Sequence, residues 1–273
     1  MKNSKMVITD FDGTLADSNR EITSKNLETL HNLGQAGIPR VVATGRNLHS
    51  FTTAAPPDLP IDYLVFSTGA GVLDWKNKKL LAKSQLEKDV VRHNTEMLID
   101  ENKDFMLHFP IPDNHKFLFH RFHSDNHDFE TRLNYYGEFA QQLDRVPDIN
   151  ATQLLAVLHR DELSELERLT TLAERVKVIK TTSPITGTAI WMELFPEGIS
   201  KAFGINWLCE KLGINHNYCV VVGNDYNDLD MLHFTEKSYV VENSPDDLKS
   251  EFNTVASVEN SGFAEAVNFH IDI

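Results

Sequence analysis

Apolar positions along the chain fall into two kinds of spacing. Met6-Val7-Ile8, Arg40-Val-Val-Ala43 and Ile61-Asp-Tyr-Leu-Val-Phe66 are short, largely β-branched runs that stop at polar or glycine residues, as strands buried in a parallel sheet do. Between them, Ile22 to Gly37 places Leu27, Leu30 and Leu33 at helical spacing, with Thr23 or Ser24 able to cap the start and Gly37 the end. Asn47 to Ala54 is a shorter helix, ended by Pro56-Pro57. This β-α-β-α-β order predicts right-handed crossovers and helices on both faces of the sheet. Turns at 67–71 and 76–79 then bracket a predicted hairpin, Val72 to Trp75 and Leu80 to Ala82.

From about Lys83 to Gly187 the pattern changes. A long helical stretch (Leu86 to Glu101) leads into two strand-like runs (Phe105 to Phe109, Lys116 to Phe122) and a helix (Asp128 to Leu143). A strand (Thr152 to His159), a helix (Glu162 to Ala173) and another strand (Val176 to Thr181) follow, and the hairpin-like clustering predicts an antiparallel α+β unit. The earlier style returns at Thr188 with a strand from Ala189 to Leu194. Ser200 then caps a helix that runs to Leu212, striped by Ile205, Leu208, Cys209 and Leu212. Tyr218 to Val222 and Ser238 to Val241 are the last strands; the tail from Asn268 to Ile273 has no clear assignment. The expected fold is therefore α/β: a doubly wound parallel-sheet core from 1–82 and 188–273, interrupted by an α+β insert at 83–187.

Composition narrows the partners. Lysine and arginine number 26 against 40 aspartates and glutamates, a formal charge of −14, and no dense basic stripe offsets it. Such a chain is a poor ligand for phosphate backbones, so no nucleic-acid partner is expected. No apolar run reaches the length of a membrane span, and Met1-Lys-Asn-Ser-Lys leads straight into a strand, so neither membrane nor export is expected and the cytoplasm is the default. The two cysteines, Cys209 and Cys219, read as small core residues in a reducing compartment. Nothing in the sequence fixes the oligomeric state; a monomer is the default.

The polar residues at the strand ends carry the chemistry. After the first strand comes Asp10-Phe-Asp12-Gly13-Thr14. Continued extended backbone would put Asp10 and Asp12 on one side with Phe11 turned into the packing. Two acids in one small volume suit a cation or an acid/base pair, while the same residue types also make an ordinary surface turn. Gly13 permits a tight turn, and Thr14 can bond to the amides of that turn. The second strand ends in Thr44-Gly45-Arg46, Lys201 opens a helix, and the strand to Val222 ends in Gly223-Asn224-Asp225-Tyr226-Asn227-Asp228.

These four motifs, in this order and with a large insert between the second and third, resemble the haloacid dehalogenase superfamily, in particular its Cof-type sugar-phosphatase-like branch. The resemblance covers nearly the whole chain. It implies a Mg²⁺-dependent phosphatase acting on a small phosphorylated metabolite, a sugar phosphate in this branch, with the insert as a mobile lid that chooses the substrate. By the same resemblance Asp10 would be the nucleophile, forming an aspartyl-phosphate. Asp12, held protonated by its neighbour, would protonate the leaving alcohol and then help water attack. Mg²⁺ would bridge Asp10 and a phosphate oxygen, with the Asp12 carbonyl turned to the metal. Thr44, the amides around Gly45, Arg46, Lys201 and Asn227 would receive the phosphoryl oxygens. Relatives commonly carry aspartate directly after the first glycine of the last motif, where this chain has Asn224. Asn224 is therefore expected on the metal, with Asp225 as rival and Asp228 behind them.

Plainer readings stand beside these. Arg46 opening a helix is more often solvated or ion-paired than a substrate ligand. His108, His115, His120, His123 and His127 lack the spacing of a zinc site, and Phe105, Phe109, Phe117, Phe119 and Phe122 fit a core better than a sugar platform. Trp191 and Glu193, on the strand returning from the insert, either face the cleft or, on the plainer reading, pack. A phosphomutase would use the same residues, and a phosphoacceptor domain or a binding protein without turnover would use some of them.

Overall fold

The computed structural model describes residues 5–158, 164–183 and 189–272. The opening Met1 to Ser4, the expected strand end at His159, the expected helix start at Glu162, the return near Gly187 and Thr188, and Ile273 lie outside the described residues. The chain forms two compact units, 1–83 with 200–273, and 84–199.

The first unit is an eight-stranded sheet in the order β14-β13-β12-β1-β2-β3-β4-β5. Its parallel strands are β1 (Met6–Thr9), β2 (Arg40–Ala43), β3 (Tyr63–Phe66), β12 (Cys219–Gly223), β13 (Ser238–Val241) and β14 (Asn253–Val255). The hairpin β4 (Gly71–Asp74) and β5 (Lys79–Lys83) closes one edge antiparallel. β14 is three residues long with Asn253 and Thr254 exposed, so it carries no apolar pattern to foretell it.

β1 sits between β2 and β12, where the strand order reverses direction, and at such a switch point the loops diverge and leave room for a ligand. On one face, Met6, Ile8, Val41, Val221 and Val240 bury against Ile205, Leu208 and Cys209 of α6 (Lys201–Leu212) and Met231 and Leu232 of α7 (Leu229–Leu232). Helices α1 (Ser24–Gln35) and α9 (Gly262–Asn268) pack on each other; α1 also meets β2, and α9 meets β12 and β13. Thr23 caps α1 by accepting from the Asn26 amide, and Ser200 caps α6 by accepting from the Phe203 amide at 3.2 Å. Cys209 and Cys219 are buried with their sulfurs 3.7 Å apart.

The second unit is a six-stranded sheet in the order β10-β11-β9-β6-β7-β8: β6 (Phe105–His108), β7 (Phe117–His120), β8 (Ala140–Gln142), β9 (Gln153–Leu158), β10 (Val176–Thr182) and β11 (Ile190–Pro196). Every pairing is antiparallel except β7 with β8. Alternate residues point to opposite faces. Phe105, Leu107, Leu154, Ala156, Met192 and Leu194 share a core with α3 (Lys88–Asp100) and α5 (Leu166–Leu172). Met106, Phe117, Leu155, Val157 and Trp191 share one with α4 (His127–Tyr136).

Two expectations are corrected here. β11 does not return to the parallel core; it lies between β9 and β10, and the second unit runs on to Ile199. A central antiparallel strand covered on both faces reads as a continuous apolar run, so Trp191-Met-Glu-Leu-Phe195 mimics a parallel strand. The helix expected to reach Leu143 stops at Tyr136, because the chain after Gly137 tightens into one turn and then pairs with β7.

Candidate active site

The first unit brings the four motifs together around Lys201. Its side chain is fully buried at the first turn of α6, and Nζ donates to Asp10 Oδ1 and Asp228 Oδ1, each at 2.6 Å. Asn227 Oδ1 lies at 3.5 Å. Two loops meet here because Gly69 lacks a Cβ: one built there would come within 1.9 Å of the Ser200 carbonyl oxygen, so any larger residue would push the 67–69 turn off the start of α6.

Asp10 follows β1 directly, its amide bonded to the Val222 carbonyl at 2.9 Å. Its Oδ1 is fixed by Lys201, while Oδ2 accepts no hydrogen bond among the described residues. Burial pushes the Asp10 carboxyl up to about 7; the neighbouring charges of Asp228 and Asp12 add to this and Lys201 opposes it. For Lys201, burial alone would lower the pKa, but the carboxylates of Asp10 and Asp228 override it and hold the ammonium above its ordinary value.

Gly13 turns the chain at φ 76°, in the left-handed region. A Cβ there would meet Asn224 Nδ2 at 2.5 Å, so the first and last motifs touch through a glycine. Thr14 does not bond its own turn: its hydroxyl donates to Asn224 Oδ1 at 3.2 Å, because Gly13 and Ala16 already close that turn with a backbone bond. Asn243, which no sequence motif flagged, donates from Nδ2 to the Gly13 carbonyl at 2.8 Å.

Asp12 and Arg46 are paired with each other. Arg46 grips both oxygens of Asp12, from Nε and Nη2, each at 2.7 Å, and its Nη1 donates to Ser50. Asp12 is half-exposed, and its carboxylate faces the Arg46 guanidinium. In this structure Arg46 is an ion-pair partner, in line with the plainer reading of the sequence. Thr44 is buried, with Oγ1 accepting from the Arg46 amide at 3.1 Å, which leaves its hydroxyl hydrogen to donate. Gly45 lies beside Asn227 and Thr68. Ser67 and Thr68 stand consecutively in the left-handed region, at φ 49° and 55°, and their amides bond to the Arg46 and Thr44 carbonyls. Two non-glycine residues held there are costly, and such strain gathers at functional loops. A polar Ser-Thr-Gly directly after a parallel strand was the available signal.

In the last motif, Asp228 accepts the amides of Asn224 and Asp225 on Oδ2, at 2.8 and 3.1 Å, and Lys201 on Oδ1. It is fully buried and occupied on both oxygens, which makes it the buttress of the loop. Asp225 caps the following turn through the Tyr226 amide, and burial pushes its carboxyl up.

Among the described residues no three His, Cys, Asp or Glu side chains gather around a common point. The site nonetheless fits a hard divalent cation. Its donors are all oxygens, four carboxylates (Asp10, Asp12, Asp225, Asp228) face two cations (Lys201, Arg46), and Asp10 and Asp225 are both poorly stabilised as anions. Mg²⁺ takes few protein carboxylates and completes its shell with neutral oxygens and water.

A model of the haloacid dehalogenase-like hydrolases matches residues 7–267. A protein of Mycoplasma genitalium with a provisional phosphatase name is 22% identical over 94% of each chain. A phosphoglycolate phosphatase of Archaeoglobus fulgidus is 23% identical over 98% of each. Among solved structures, BT1666 of Bacteroides thetaiotaomicron, presented among phosphatases of the haloalkanoate superfamily, superposes with a TM-score of 0.80 at 17% identity, covering 97% of this chain and 94% of that one. The subclass IIB sugar phosphatase BT4131 gives 0.74 at 16%, covering 97% and 98%.

Proposed function

The chain belongs to the haloacid dehalogenase-like hydrolases, and from that premise we propose that it is a Mg²⁺-dependent phosphatase of a small phosphorylated metabolite, a sugar phosphate, working through an aspartyl-phosphate on Asp10. The observation that carries this reading is the state of Asp10: one oxygen pinned by a buried lysine, the other unbonded among the described residues, at the end of the central strand. In this reading Oδ2 attacks phosphorus, and once the Arg46 fork has opened Asp12 takes up a proton from solvent and delivers it to the leaving alkoxide, which departs as the alcohol. Water then attacks the aspartyl-phosphate, Asp12 accepts the water's proton, and inorganic phosphate departs. Thr44, the Gly45 amide, Lys201 and Asn227 supply donors where charge builds on the phosphoryl oxygens.

Asp10, the Asp12 carbonyl, and Asn224 or Asp225 would hold the cation, with Asp228 fixing their loop. Bound there, Mg²⁺ supplies positive charge that keeps the Asp10 carboxylate ionised and offsets repulsion toward the phosphate dianion. The sugar-phosphate assignment is supported by the shared fold of BT4131, and the choice among substrates is assigned to the inserted unit.

The test is phosphate release from a panel of sugar phosphates, nucleotides and phosphoglycolate, with Mg²⁺ and with excess chelator. Mg²⁺-dependent release, lowered at least about 10³-fold in Asp10→Asn with the fold retained, is the expected result. An isomerised sugar phosphate without free phosphate would make it a mutase, a single labelling event without turnover would make it a phosphoacceptor, and undiminished activity in Asp10→Asn would reject the nucleophile.

A further inference from the structure

The inserted unit contains a cation that the proposed chemistry does not use. Arg132, on α4, lies over one face of the six-stranded sheet, its guanidinium carbon 4.7 Å from the Trp191 ring centre and 5.4 Å from that of Tyr136. Among the described residues it donates one hydrogen bond, from Nε to the Met106 sulfur at 3.2 Å. Its two Nη groups have no partner, and neither is sealed from solvent.

Acids are near, but they are committed elsewhere. Glu193 accepts from Thr181 Oγ1 at 2.7 Å and from Gln153 Nε2 at 3.1 Å. Asp128 accepts from Ser183 Oγ at 2.6 Å and from Trp191 Nε1 at 2.5 Å. Neither forms an ion pair with Arg132, although both lie close enough to act on its charge. A guanidinium stripped of much of its water and given no counter-ion is costly. Seated on an indole, it presents its Nη edge as a planar fork, the geometry that pairs with carboxylate and phosphoryl groups.

We propose that the inserted unit carries an anion-binding site of its own, in which Arg132, stacked on Trp191, receives a carboxylate or phosphoryl group of a small molecule. Glu193 and Asp128 shape the site without filling it: each is held off the fork by its own donors. Binding restores to the guanidinium the counter-ion that the fold withholds.

The chain's three tryptophans allow a direct test. Trp75 and Trp207 belong to the other unit, so in the full-length protein labelled with 5-fluorotryptophan the Trp191 fluorine resonance reports this site, assigned with Trp191→Phe. Malonate stands for carboxylates and sulfate for phosphoryl groups, and the tighter of the two names the class. A saturable shift of the Trp191 resonance is expected, absent with sodium chloride of equal ionic strength and abolished in Arg132→Met. Arg132→Lys, which keeps the charge and loses the fork, should weaken binding about tenfold. Should Arg132→Met fail to fold, the lysine variant decides. The proposal is overturned by no Trp191 shift, by a shift that chloride reproduces, by movement of Trp75 and Trp207 alone, or by an affinity that the Arg132 substitutions leave unchanged.

Discussion

The two units treat a desolvated cation in opposite ways. In the first, Lys201 is fully buried and gripped by two carboxylates at 2.6 Å. In the second, Arg132 sits among acids that spend their oxygens on Thr181, Gln153, Ser183 and Trp191. Lys201 is therefore part of what holds Asp10 and the Asn224 loop in place. Arg132 holds together little, and its fork is left for something else. Burial of a charge alone does not tell these roles apart; the state of the nearest counter-charges does.

Paired substitutions to methionine turn this contrast into numbers. Lys201→Met leaves Asp10 and Asp228 buried together without their cation, and breaking such a pair costs about 3–5 kcal/mol. Arg132→Met strands no counter-ion and keeps apolar contact with Trp191, so its cost should stay below about 1 kcal/mol, and a small gain is compatible with the same logic. Urea unfolding of both variants checks the difference. Equal losses at the two sites would break the comparison.

How far each unit was legible in the sequence follows the same division. In the parallel sheet the chemistry stands at strand ends, where Asp10, Thr44 and Asn224 follow apolar runs directly, so order alone brings them to one edge. What escaped there were partner choices: Arg46 taking Asp12, Thr14 taking Asn224, and Asn243 reaching Gly13. Those depend on loop paths that periodicity does not encode. In the antiparallel sheet the chemistry lies within strands and on α4, at positions such as Glu193 and Arg132, with no punctuation to mark them. Covered on both faces, β11 even read as a strand of the other unit.

Burial also decides the behaviour of His108, which packs on the same face of the second unit. Burial, and then the charges of Arg132 and His115, lower its pKa to about 3, against the Asn114 carbonyl that favours the protonated ring. The unfolded chain takes up this proton near pH 6.5 and the folded one does so only near 3. The unfolded state thus binds more protons between those values, and stability falls as pH drops. From pH 7 to pH 5 this residue alone should cost the unit about 2 kcal/mol. Urea unfolding at both pH values, compared with His108→Leu, should show the shallower pH slope in the variant. An identical slope would mean that the ring protonates freely in the fold.

The smallest effect expected on stability is at Arg46. Its pair with Asp12 is bidentate, with both donor distances at 2.7 Å, yet Asp12 is about half exposed, and exposed pairs contribute between zero and about 1 kcal/mol. Arg46→Gln should therefore unfold within about 1 kcal/mol of the parent, in contrast to Lys201→Met only a short distance away in the same unit. Its effect on turnover separates two roles that the geometry sets against each other. If Arg46 acts on the reaction through Asp12, freeing that carboxylate changes kcat and the pH profile while KM for a simple phosphate ester stays where it was. If Arg46 leaves Asp12 and takes a phosphoryl oxygen during turnover, KM rises and kcat follows it little. Measuring both parameters across pH in Arg46→Gln decides between them, and a stability loss above about 2 kcal/mol would instead place this pair with Lys201, among the contacts that hold the site in shape.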